Sequence, residues 1–278
     1  MRRADAEWVA ARLADPSSRA VVGTADGILV RGAAPALVTL AELGGGIEAV
    51  LLGLDESGAA VFAADPGSAV AAGLHADATL RGLRDVAAEA NQADGGLLAH
   101  ATAMLNWHRS HRFCAQCGAA TEMAEAGHVR ACPRCGALHH PRTDPVVIML
   151  VHDGDERLLL GRQAAWPAGR YSALAGFVEP GESLEEAVAR EVSEETGVVV
   201  DDVRYRSSQP WPFPTSLMLG FDARYVEGEA TTLDGELQDV RWLTRDELAR
   251  AAREEGALGL PPPLAIARRL VDDWLSED

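Results

Sequence analysis

The chain has 278 residues, 47% hydrophobic, 24% charged and 5% aromatic, which is enough to bury a sizeable core and too varied for a collagen-like, low-complexity or disordered chain. Its formal net charge of −17 repels polyphosphates and nucleic acid unless a metal or a local basic patch intervenes. Every basic side chain is an arginine, which excludes Schiff-base and lysine-nucleophile mechanisms. The start, Met1-Arg2-Arg3-Ala4-Asp5-Ala6-Glu7-Trp8, lacks an apolar signal core. The longest apolar candidate, 146–151, is strand-sized and well short of the ~20 residues of a membrane span. No membrane contact and a cytoplasmic location are therefore expected. Along the chain, Ala20-Val21-Val22 and Ile28-Leu29-Val30 read as strands around the turn Asp26-Gly27. Residues 48–54 and 60–62 read as a hairpin across Asp55-Glu56-Ser57-Gly58. Residues 80–111 are helix-compatible, with an interruption expected at Asp94-Gly95-Gly96. The first hundred residues hold no catalytic constellation.

All four cysteines follow, in two knuckles, Cys114-x2-Cys117 and Cys132-x2-Cys135, separated by 14 residues. Gly118 and Gly136 let the backbone turn so that N–H groups point at the thiolates. Four thiolates suit tetrahedral Zn2+ in a closed, structural shell, whereas disulfides suit an oxidising compartment. His108, Arg109, His111, Arg112 and Arg130 lie nearby and leave nucleic-acid contact as a second role. A folding clip between two domains is the favoured reading.

Beyond Pro145, residues 146–152 and 158–162 are predicted strands across Asp153-Gly154-Asp155, and 172–178 a third. Residues 183–196 read as a helix, and 198–206, 217–226 and 240–243 as further strands. Thr244 with Glu247 is a capping-box pattern. Pro263 is expected to open a last helix, with Ile266, Leu270 and Trp274 at helical spacing. Strands and helices alternate without regular βαβ repeats, which predicts an α/β (α+β) fold with a mixed sheet between helices. The expected division is an N-terminal α+β domain at 1–105, a zinc ribbon with linker at 106–142 and a catalytic domain at 143–278.

The helix at 183–196 carries the chemistry. Ser183 and Glu186 form a capping box, and Gly197 supplies a left-handed C-terminal residue. At about 100° per residue, Leu184, Ala187, Val188 and Val192 form an apolar stripe. Glu191 and Glu195 fall inside that stripe and Glu194 at its edge, while Arg190 and Ser193 face elsewhere. Acids on a core-facing side are costly unless cations neutralise them. An oxygen-only donor set favours Mg2+ or Mn2+, which attracts phosphate and acidifies a bound water.

The segment matches the pattern G-x5-E-x7-R-E-U-x-E-E-x-G-U, with U aliphatic, at Gly176, Glu182, Arg190, Glu191, Val192, Glu194, Glu195, Gly197 and Val198. It resembles the Nudix box. The resemblance implies the Nudix fold and hydrolysis of a nucleoside diphosphate linked to another group. It implies Glu191, Glu194 and Glu195 as ligands of Mg2+ or Mn2+, Arg190 as their orienting salt-bridge partner, and the Ala175 carbonyl as a further ligand. Phe177 could stack on a substrate ring.

Downstream lies Ser208-Gln209-Pro210-Trp211-Pro212-Phe213-Pro214-Thr215-Ser216. Its alternate prolines stiffen the chain and present two aromatic rings at little entropy cost. By residues alone it is equally a rigid connector or a wall for a planar ring, with Gln209 and Ser216 as hydrogen-bonding ends. With the ribbon it resembles the S-Q-P-W-P-F-P-x-S segment of the NADH pyrophosphatase (NAD-capped RNA hydrolase) branch of that family. The branch implies substrate contacts at Gln209, Pro210, Trp211, Pro212, Phe213, Pro214, Thr215 and Ser216. It implies a further metal ligand at Glu236, and substrate contacts at Ala267, in Ile266-Ala267-Arg268-Arg269-Leu270, and at Arg81. The branch usually carries Tyr or Phe where this chain has His140 before Pro141-Arg142; the imidazole can still stack but has less ring area. The activity implied is hydrolysis of NADH or NAD+ to AMP and nicotinamide mononucleotide, removal of NAD caps from RNA 5′ ends, and a homodimer. The alternatives are a diphosphatase for a substrate such as ADP-ribose, and a zinc-ribbon RNA-binding protein whose Nudix domain senses a ligand.

Overall fold

The computed structural model describes residues 2–44, 46–154, 156–233 and 235–277. Met1, and Asp155 of the expected turn after the 146–152 strand, lie outside the described residues. The chain divides into two compact units: residues 1–142 with 212–215, and residues 143–211 with 216–278. Among the described residues no helix is long and apolar enough to cross a membrane.

The first unit begins with α1 (Ala6–Ala14), capped by the Asp5 side chain accepting from the Trp8 N–H. Then come β1 (Arg19–Thr24), β2 (Gly27–Arg31), β3 (Ala34–Pro35), β4 (Val38–Thr39), β5 (Ala49–Leu54), β6 (Ala60–Ala64), α2 (Ser68–Ala71), β7 (Thr79–Arg81), α3 (Leu83–Ala87) and α4 (Gln92–Ser110). The sheet order is β3-β2-β1-β6-β5, with β4 on β1 and β7 on β2; β1 runs parallel to β6 and the other pairs are antiparallel. The 80–111 region differs from expectation. It holds a strand end and two helices, and the helix runs straight through Asp94-Gly95-Gly96. The Asn91 side chain accepts from the Asp94 N–H, so the glycines sit in an anchored first turn. Burial of Leu98, Ala101, Met104, Leu105 and Trp107 outweighs the ~1 kcal/mol that a helical glycine costs relative to alanine.

The ribbon adds β8 (Glu122–Ala124), β9 (Val129–Ala131) and β10 (Leu138–His139), paired in the order β10-β9-β8.

The second unit contains β11 (Asp144–His152), β12 (Arg157–Gln163), β13 (Leu174–Phe177), α5 (Leu184–Thr196), β14 (Val199–Trp211), β15 (Ser216–Glu227), β16 (Leu237–Thr244), α6 (Arg245–Ala252) and α7 (Ile266–Ser276). The sheet order is β14-β15-β11-β12-β16, with β13 on β11; β11 and β15 are parallel and the rest antiparallel. This is the expected mixed sheet between helices. Both faces are covered, which explains the unbroken apolar runs. Val147, Met149, Val151 and Leu159 pack with α5 residues, whereas Ile148, Leu150, Leu158 and Leu160 pack with Leu248 of α6 and Leu270 of α7.

Two elements depart from the sequence expectation. β14 continues past 206 through the proline segment to Trp211; it lies at the sheet edge, where the missing N–H of Pro210 is tolerated. The last helix starts at Ile266 rather than Pro263, because the Gln209 side chain supplies the acceptor for the Ile266 N–H at 2.8 Å.

Candidate active site

α5 is fixed at both ends. Ser183 and Glu186 close a reciprocal capping box, and Gly197 ends the helix at φ 70°. That register puts Ala187, Val188, Val192 and Glu195 into the core, with Glu195 only 3% exposed. The Glu194 side chain is 58% exposed and that of Glu191 is 15% exposed, so the expected edge and inner positions are both observed.

Glu191 lies against Gly176 of β13. A Cβ at Gly176 would come within 1.8 Å of the Glu191 Cδ, so only glycine leaves room for this carboxylate. Burial raises the Glu191 pKa, while the adjacent Arg190 opposes the rise and the charges of Glu194 and Glu236 reinforce it.

Arg190 is the hub of the site. Its Nε and Nη2 donate to Glu182 at 3.0 and 2.7 Å, and its Nη2 also donates to the Phe177 carbonyl at 2.9 Å. Its Nη1 reaches Glu191 at 2.9 Å and Glu194 at 3.0 Å. It therefore turns towards the acids instead of facing elsewhere. The guanidinium and the Glu179 N–H together pull the Glu182 pKa down to about 2. Glu182, the arginine's bidentate partner, had no role in the sequence reading; its signal was the fixed place eight residues before Arg190.

This donor set fits a divalent cation. The donors are all oxygen, two are withdrawn from solvent, and they carry like charge, which a hard cation relieves. Glu236 and the half-buried Ala175 belong to the same unit, and Glu236 is near enough to raise the pKa of Glu191. Arg190 draws Glu191 and Glu194 to itself. Among the described residues only the cysteine sulfurs gather within 4.8 Å of one another.

That cysteine group is the second centre. Cys114, Cys117, Cys132 and Cys135 converge across the two knuckles, and Gly118 and Gly136 both adopt φ 74°. The N–H groups of Cys135 and Arg134 point at the Cys132 sulfur and draw its thiol down to about 6. The neighbouring basic residues divide. Arg130 is buried, donating to Thr121 and His108, and Arg109 pairs with Asp65 at 2.6 Å. Burial holds the His108 pKa down to about 4. Arg112 is exposed.

The other predicted residues are dispersed. Phe177, at the end of β13, is 60% exposed. Gln209 spends both ends of its amide on the chain itself, Nε2 donating to the Leu264 carbonyl at 2.8 Å and Oε1 accepting from Ile266. Ala267 has its methyl group buried beside Ile266 and Leu270. Pro210, Trp211 and Ser216 lie in the β14–β15 ladder, where Trp211 pairs with Ser216. Pro212, Phe213, Pro214 and Thr215 group with the first unit; Phe213 packs on its core, with the Arg84 guanidinium 4.8 Å from the ring centre. Arg84 had no sequence signal. Arg81 forms a two-pronged bridge to Glu89, and His140 is exposed just after β10.

Comparison with known proteins gives three family matches: "NUDIX domain" at residues 142–262, "NADH pyrophosphatase zinc ribbon domain" at 109–139 and "NADH pyrophosphatase-like rudimentary NUDIX domain" at 17–107. The NAD-capped RNA hydrolases NudC of Mycobacterium bovis (strain BCG / Pasteur 1173P2) and Mycobacterium tuberculosis (strain ATCC 25618 / H37Rv) are each 43% identical over 282 residues, covering 99% of this chain and 89% of theirs. The human NAD-capped RNA hydrolase NUDT12 is 42% identical over 195 residues, covering 66% of this chain and 42% of its own.

Proposed function

The chain belongs to the Nudix hydrolase family, alongside the NAD-capped RNA hydrolases, and from that premise we propose that it hydrolyses the diphosphate of NADH and NAD+ to AMP and nicotinamide mononucleotide and removes NAD caps from RNA 5′ ends. The observation that carries this reading is the intact glutamate helix, with Glu191 seated on Gly176 and Glu195 buried beside it, in a chain aligned almost end to end with such hydrolases.

Glu191, Glu194, Glu195 and Glu236, with the Ala175 carbonyl, would hold Mg2+ or Mn2+. When bound, that cation polarises a phosphate oxygen and acidifies a water. Arg190 keeps Glu191 and Glu194 within reach of one another, and Glu182 anchors Arg190. One carboxylate of this set orients the attacking water. Phe177 offers an exposed ring for stacking. The Gln209 clamp fixes the backbone leading into Ala267, a proposed substrate contact that is only 4% exposed. Arg81, His140 and the segment Pro210 to Ser216 complete the proposed substrate contacts. The cysteines hold one structural Zn2+, a reading supported by the ribbon match and the convergence of their sulfurs.

The division into 1–105, 106–142 and 143–278 is supported by the family matches ending at 107, spanning 109–139 and beginning at 142. A homodimer in the cytoplasm remains the expected state, to be checked by sedimentation and cell fractionation.

Product analysis on NADH, NAD+, NAD-capped RNA and ADP-ribose, with Mg2+ and with Mn2+, tests the function. AMP and nicotinamide mononucleotide from the NAD species are expected. Turnover of ADP-ribose with none of the NAD species overturns the reading.

A further inference from the structure

A polyanionic substrate poses a problem for a chain of net charge −17, since long-range repulsion slows association and weakens binding. The ribbon is where that repulsion is locally reversed. Residues 106–142 contain five arginines and only two acids, Glu122 and Glu125. Elsewhere many arginines are already neutralised by the chain's own carboxylates: Arg31 by Asp77, Arg157 by Asp153, Arg224 by Asp201 and Arg253 by Glu255. Arg112 and Arg134 are exposed and, among the described residues, have no ion-pair or hydrogen-bond partner for their guanidinium groups.

Between Arg112 and Cys114 sits Phe113, 68% exposed, more than any other large apolar side chain among the described residues. Its backbone is held by the knuckle: the Cys114 N–H donates to the Ala119 carbonyl at 2.8 Å, and Phe113 bridges Ala120. An exposed ring on a fixed backbone loses little freedom when a flat partner stacks on it. Arg134 lies on the second knuckle, whose sulfurs meet those of the first within 4.8 Å. One aromatic ring with two uncompensated guanidinium groups is the chemistry that holds single-stranded nucleic acid, by stacking and phosphate contact without sequence reading. A second copy of the ribbon fits this patch poorly, because it would bring five arginines of its own and only Glu122 and Glu125 to meet them.

Resting on the reading that capped RNA is a substrate, we propose that Arg112, Phe113 and Arg134 form a docking surface for the single-stranded RNA that follows the cap. The small substrate NADH does not use it.

The test compares kcat/KM on NADH and on an NAD-capped RNA oligonucleotide for the zinc-loaded parent, the double variant Arg112→Glu/Arg134→Glu, and Phe113→Ala. The expected result is turnover of NADH within twofold of the parent, with KM for capped RNA raised about tenfold and kcat held. In the double variant the slope of log KM against log salt for capped RNA should flatten by about 1.4, about 0.7 for each lost phosphate contact on a single strand. Zinc content and melting temperature check folding, and Arg112→Gln/Arg134→Gln replaces the charge reversal if that variant loses zinc. Unchanged kinetics on capped RNA, or equal losses on both substrates, overturns the proposal. So does a fall in particle mass in the variants, which would assign the patch to a second copy. A parent that cleaves NADH but not capped RNA refutes the decapping reading instead.

Discussion

In the first unit α4 lays Leu98, Ala101, Met104, Leu105 and Trp107 against a mixed sheet; in the second, α5 lays Ala187, Val188 and Val192 against another, and with them the carboxylate of Glu195. The first helix is filled with side chains that gain from burial. The second places acids where burial is costly and surrounds them with an arginine hub and a glycine-cleared space. The first unit carries the rudimentary Nudix match and the second the full one. A mixed sheet and a packed helix therefore form without glutamates in the first unit, so packing alone does not account for the acids of α5.

Neutralising one acid of α5 should have the largest effect. Glu195→Gln should lower turnover at saturating Mg2+ by roughly two orders of magnitude or more while circular dichroism stays native. A variant with near-parental kcat would remove Glu195 from the catalytic set. Next, Gly176→Ala should displace the Glu191 carboxylate, lowering kcat/KM by about tenfold or more and stability by about 1–3 kcal/mol, read by steady-state kinetics and denaturant titration. The same exchange at Gly96 of α4, where nothing lies within 4 Å of a new Cβ, should be neutral or stabilising.

Cys117→Ser or Cys135→Ser should abolish binding of the one expected Zn2+, read by elemental analysis, and lower melting temperature and solubility together with activity. A fully folded, active, zinc-free variant would contradict a structural role.

A smaller effect concerns acid stability. Arg190 lowers the folded-state pKa of Glu182, so the bridge stabilises fully above the ordinary carboxylate value and fades as pH falls towards about 2. The melting-temperature gap between parent and Glu182→Gln should be widest above pH 5 and narrow steadily below pH 4.5. A constant gap across that window would mean that Glu182 acts by shape alone. Smallest of all, Arg84→Ala removes the cation over Phe213 and should cost about 0.5–1 kcal/mol in thermal unfolding with kcat on NADH unchanged.

Much of the second unit was legible because its signals are local. Ser183, Glu186 and Gly197 set the helix ends, the stripe put Glu191 and Glu195 inward, and the cysteine spacing announced the ribbon. What escaped the sequence was long-range. Gln209 lies 55 residues from Leu264, and no pattern says that its amide will cap α7. Phe213 sits in a segment that reads as a presented ring, yet it packs with residues more than a hundred positions earlier. The run through Gly95-Gly96 looked like a break because propensity is local, while the burial that outweighs it is tertiary. The rudimentary Nudix match went unseen because the motif that marks the family is catalytic, and a unit without those acids carries no such mark.

Strand β11 is buried on both faces from Val146 to Val151 and is hydrogen-bonded on both edges, to β15 and to β12 and β13. Its amides can meet solvent deuterons only when the sheet itself comes apart. They should be among the last in the second unit to exchange, and their exchange rate in the native protein should report that unit's global opening free energy.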